Sequence, residues 1–85
     1  MDVALLFFGK DPLTKTNKSP TVWLDDTTKD LVMQGWIADD ATRTECEKTG
    51  NIPDHETVIR IPARMVPILR EVCDAAERTQ LRGDD

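Results

Sequence analysis

The chain carries one histidine, one serine and two cysteines, so catalytic or metal-binding chemistry would have to come from very few side chains. His55 lies in "IPDHE", between Asp54 and Glu56, a grouping that suggests a metal site or a general base oriented by a carboxylate. Ligand sets on helices need spacings of three or four residues, and immediate neighbours project apart. The segment therefore reads as a solvated loop before a strand. Ser19 belongs to no nucleophile motif, and the chain has neither a glycine-rich phosphate loop nor a pair of catalytic carboxylates. Cys46 and Cys73 lack the paired spacing of a zinc site or a disulfide framework. Cys73 falls on the apolar face of the last predicted helix, where a small buried hydrophobe is expected. These residues predict a protein that is not an enzyme and uses no metal or cofactor.

Recognition is what remains. Trp23, Trp36, Phe7 and Phe8 are the side chains best able to anchor an interface, because aromatic anchors carry a disproportionate share of binding energy. The competing expectation is that all four fill the core. Arg60 and Arg64 flank the junction between the last strand and the last helix. They are placed to pair either with a partner's carboxylate or with the chain's own surplus acids. The candidate protein-binding residues are accordingly Trp23, Trp36, Arg60 and Arg64.

Eighty-five residues form one domain, of which a chain of this size buries only about 60 to 65% of its unfolded surface. With 11 Lys and Arg against 16 Asp and Glu, the formal net charge is −5. Nucleic-acid binding rests on basic residues displacing counterions from phosphates, so this balance argues against a nucleic-acid partner. "MDVALLFFGK" has an acid where a signal peptide has basic residues, and no segment reaches the ~20 apolar residues of a membrane span. The expected setting is cytoplasmic, with no membrane partner.

The elements that must position these residues follow from periodicity. "VALLFFG", residues 3–9, is a continuous apolar run, read as a strand covered on both faces. Residues 10–20, with Lys10, Lys15 and Lys18, read as a mobile loop. "TVWLDD" and "LVMQGWIA" repeat at the two-residue period of strands and read as a hairpin turning at "DDTTKD". Gly35 within the second arm predicts a bulge or a close backbone approach. Asp39 or Asp40 can cap a short surface helix, Thr42 and Glu45 have capping-box spacing, and Gly50 reads as its stop. "TVIRI", residues 57–61, predicts a strand ended by Pro62. The helix after it has an apolar stripe at Met65, Leu69, Val72, Cys73 and Ala76, and Pro67 is tolerable only in its first turn. The expected fold class is α+β: a small three- or four-stranded, mostly antiparallel sheet, a C-terminal helix packed on one face and a short surface helix. One domain is expected over residues 1–80, with a tail at 81–85.

A strand running through Pro62 into a helix also opens ribbon-helix-helix DNA-binding regulators. That architecture needs a second helix after the first, and here the chain ends soon after Gln80. Its strand must also present base-reading side chains, and residues 57–61 offer only Arg60 as a good donor to guanine. A ribbon-type DNA-binding regulator is therefore an alternative reading, as is a small-metabolite binding protein with an apolar pocket lined by Trp23 or Trp36.

At "SPTVW", "VMQGW" and "IPDHETVIRIPARMVPILREVCDAAE" the sequence resembles a group of small uncharacterised actinobacterial proteins, seen mainly in streptomycetes, whose genes often neighbour those of helix-turn-helix regulators. The resemblance runs from about Ser19 to Glu77. More loosely, the order of hairpin, strand and short helix is similar to small developmental regulators of the BldB type. Those act as homodimers or as protein partners of helix-turn-helix factors. The resemblance implies a regulatory or accessory role and carries over no catalytic residue. The expected function is a small non-enzymatic protein-binding module, partnering either a helix-turn-helix transcription factor or a second copy of itself as a homodimer.

Overall fold

The computed structural model describes residues 3–13 and 19–83. Its elements are, in order, β1 (Leu5–Lys10), β2 (Thr21–Asp25), β3 (Leu31–Gln34), β4 (Trp36–Ile37), α1 (Asp40–Glu47) and β5 (Ile59–Arg60). A 3-10 turn (Ala63–Met65) then leads into α2 (Val66–Gly83). The first three strands form an antiparallel sheet in the order β1-β2-β3, and β4 and β5 form a second, two-stranded one. The fold is α+β.

The predicted hairpin is β2 and β3. Its turn is set by Asp25, whose carboxylate accepts from the backbone N–H groups of Thr27 (2.9 Å) and Thr28 (3.1 Å). Those bonds hold the Asp25 carboxyl below its ordinary value of 3.8, chiefly through Thr28. Lys29 then takes the left-handed conformation, φ 68, and returns the chain into β3. The second arm does not run on to Ile37 as one strand. It breaks at Gly35, where an added Cβ would lie 2.5 Å from the Arg60 carbonyl oxygen, and beyond the break β4 leaves β2 to pair with β5. The close backbone approach predicted at Gly35 is therefore present, and it marks the switch from one sheet to the other.

Partners directly opposite in an antiparallel pair share a face. Leu6, Leu24 and Leu31 thus form one row, and Gly9, Val22 and Met33 another, on the side that α2 covers. Val22, Leu24, Met65 and Val72 are the buried apolar core, with Phe8, Ile61, Ile68, Leu69, Ala75 and Ala76 packed against it. Gly9 lets the helix come down close, since a Cβ there would meet Ile68 Cδ1 at 2.9 Å.

Several expectations are corrected. The strand expected over residues 57–61 shrinks to Ile59–Arg60. The strand at residues 3–9 is not covered on both faces: Leu5, Leu6 and Phe7 are exposed. β1 is an edge strand, and α2 reaches only its inner side. In α2, Met65 and Val72 are buried as predicted, but Cys73 is exposed and Ile68 takes its place against the core. The helix cap is Asp39, which accepts from the Thr42 N–H at 2.9 Å, so Thr42 lies inside α1 rather than capping it. Pro67 does lie in the first turn of α2. The tail expected at 81–85 falls partly in α2, whose backbone is described to Gly83, and partly outside the described residues. Lys15 and Lys18 also lie outside them. No helix among the described residues is long and apolar enough to cross a membrane.

Candidate protein-binding surface

The sheet face turned away from α2 is exposed along its β1 edge. Phe7, Trp23 and Val32 are register partners across all three strands and so form one row on that face, with Leu5 beside them. Phe7 is 60% exposed and Leu5 41%, whereas Trp23 and Val32 are half-buried. Phe7 and Phe8 look equivalent in sequence. A register shift between Phe7 and Gly9 leaves Phe8 unpaired across the ladder, and Phe8 packs on the core while Phe7 faces solvent.

The far end of this face is closed by backbone. Thr21 and Gln34 are partners on the same side as Trp23, and both donate to the Ser19 carbonyl, from Oγ1 at 2.8 Å and Nε2 at 2.9 Å. Ser19 and Thr21 are 1% exposed. The apolar row is thus bounded by a rigid, hydrogen-bonded rim at one end and by the Asp25–Asp30 turn at the other.

Trp36, Arg60 and Arg64 come together on the second sheet. Trp36 is the register partner of Arg60, and the Arg64 guanidinium lies 5.9 Å from the centre of the Trp36 ring, within cation–π range. Arg64 also grips Asp11 with two parallel bonds, Nε to Oδ1 and Nη2 to Oδ2, each 2.5 Å. The Asp11 side chain is fully buried. Its hydrogen bonds stabilise the Arg64 charge and push that group's pKa above its ordinary value, outweighing the opposing effect of partial burial. Arg60 reaches the other way and donates from Nη2 to Thr42 Oγ1 at 2.7 Å. The Thr42 hydroxyl and N–H, helped by the Arg60 charge, in turn hold the Asp39 carboxyl below its usual value.

Three of the four predicted residues are therefore gathered at one place, and Trp23 belongs to the other sheet. Both arginines are engaged within the chain. Trp36 remains 47% exposed and Ile37, on the opposite side of β4, 83%. Sequence reasoning missed Asp11, which lay within the stretch read as a mobile loop. The available signal was an acid directly after an apolar strand, but its basic partner is 53 positions away. His55 is exposed, with Glu56 3.7 Å away. Among the described residues, no three of His, Cys, Asp and Glu lie together in a way that could hold a metal ion. Comparison with protein-family models, with curated proteins and with solved structures gives no match.

Proposed function

We propose that the chain is a small non-enzymatic protein-binding module of the cytoplasm, acting as an accessory or regulatory partner of a helix-turn-helix transcription factor or of a second copy of itself. The observation that carries this reading is the exposed pair Leu5 and Phe7 on the sheet face opposite α2, in one row with half-buried Trp23 and Val32. Apolar sheet surface that a chain cannot cover with its own elements is stabilised by a partner that covers it, and rings are efficient anchors there. The net charge of −5 favours basic or neutral protein surfaces over phosphate.

A ribbon-type DNA-binding regulator is disfavoured by β5 itself. The ribbon in that architecture pairs between two chains, whereas Ile59–Arg60 pairs with Trp36–Ile37 of its own chain and Arg60 is spent on Thr42. Titration calorimetry of the purified chain with a helix-turn-helix regulator encoded beside it, together with sedimentation of the chain alone, tests the proposal. Saturable binding to the regulator or to itself is the expected result. A monomer that releases no heat with the regulator overturns it.

A further inference from the structure

Among the described residues, the longest run without a buried member is 25–61, and its outer part is the excursion from β4 through α1 to β5. Both roots of that excursion are fixed. Gln34 donates to the Ser19 carbonyl at one, and at the other Ile61 packs against the core and Pro62 is buried. Between the roots the polar groups satisfy one another. β4 pairs with β5, the Ala38 N–H donates to the Val58 carbonyl at 3.0 Å, and Arg60 donates to Thr42 in α1 at 2.7 Å. Among the described residues, the hydrogen bonds and ion pairs of residues 36–60 run to partners within that same span. The contact that does cross to the rest of the chain is the Trp36 ring, 5.9 Å from the Arg64 guanidinium, whose own bonds go to Asp11.

We propose that residues 36–60 are a strap that opens by local unfolding as one cooperative unit on an otherwise intact fold, with the Trp36–Arg64 stack as its latch. A segment joined more strongly to itself than to its surroundings opens at the cost of the contacts made across its boundary alone. The strap contributes no buried residue to that boundary. Within it, the Asp39 cap holds the first turn of α1, and the Thr42 hydroxyl ties the same turn to Arg60 of β5. Helix and strands therefore lose their order together. Neither stands without the other, because a ladder of two residues a side and a helix of eight are both too short to persist alone. Opening lifts the ring from Arg64 and leaves the guanidinium clasped by Asp11, which lies outside the strap. A ring-capped cation is thereby exchanged for a bare, aligned one, and this holds whatever the chain binds.

Hydrogen exchange of the full chain, followed amide by amide by NMR in rising sub-denaturing urea, tests the proposal. The amides of Ala38, beside β4, and Arg43, in α1, are expected to share one protection factor, about a hundredfold below that of Leu24 and Val72 in the core, and to respond weakly to urea. Trp36→Ala, on an exposed side chain, is expected to lower both strap amides about fivefold and to leave Leu24 and Val72 unchanged. One protection factor and one urea slope for all four amides overturns the strap, since the segment then opens only with the whole molecule. Separate protection factors for Ala38 and Arg43, or a response to Trp36→Ala confined to Ala38, overturns the single unit. A Trp36→Ala chain that matches wild type at both strap amides, or that loses as much protection in the core, overturns the latch.

Discussion

At position 35 the backbone of one strand nearly touches the backbone of another. A Cβ there would lie 2.5 Å from the Arg60 carbonyl oxygen and 2.9 Å from Ile61 Cδ1, and neither β4 nor β5 can retreat without losing its partner. Gly35→Ala is expected to cost about 1–3 kcal/mol, read as a lowered thermal midpoint. Asp39 makes a pH prediction. Its folded pKa is lowered, first by the Thr42 hydroxyl and then by the Thr42 N–H, so its contribution is fully present above the unfolded value near 3.8. That contribution is lost as pH falls through the lower folded value. Thermal unfolding of wild type and Asp39→Asn should therefore differ by a constant amount at neutral pH and converge in the acid range below 3.8. Gly35 was legible in the sequence because an isolated glycine among bulky strand residues has few explanations. The Asp11–Arg64 pair was not, because nothing local ties an acid after the first strand to a base before the last helix.

The hairpin, the short capped helix and the apolar stripe of α2 were all readable, since period and capping are properties of neighbouring residues. What period does not reveal is how far a strand extends once its partners run out. "TVIRI" has strong β-branched character, yet its ladder pairing is confined to two residues because β4 offers only Trp36 and Ile37 as register partners. Phe7 and Phe8 show the same limit. Both are strand residues, and the register shift beside Gly9 decides which one reaches the core. The contact between β1 and α2 is directly testable. Gly9→Ala drives a methyl group into Ile68, whose Cδ1, Cγ2 and Cγ1 would stand at 2.9, 3.1 and 3.3 Å. The substitution alone is expected to destabilise by about 1–3 kcal/mol. Combined with Ile68→Val, which removes the nearest of those atoms, it should cost less than the sum of the two single changes in denaturant titrations.

Taken whole, the molecule is more open than its length requires. Its radius of gyration is 14.8 Å, against about 12 Å for a compact chain of this size. Among the described residues four apolar side chains form the buried core, while Val3, Leu5, Leu6, Phe7, Trp36 and Ile37 are among those left exposed. Composition alone predicted a marginal domain, but only the arrangement of strands shows that uncovered apolar side chains stand on β1, β3 and β4. The core is also divided along the chain. Val22 and Leu24 come from before α1, Met65 and Val72 from after it, and the Asp11–Arg64 clasp ties the same two halves together. The chain is thus built as two complementary pieces joined by an exposed bend at Gly50. Severed there, the fragments should stay associated and co-elute from a sizing column, each supplying the half of the interior that the other lacks.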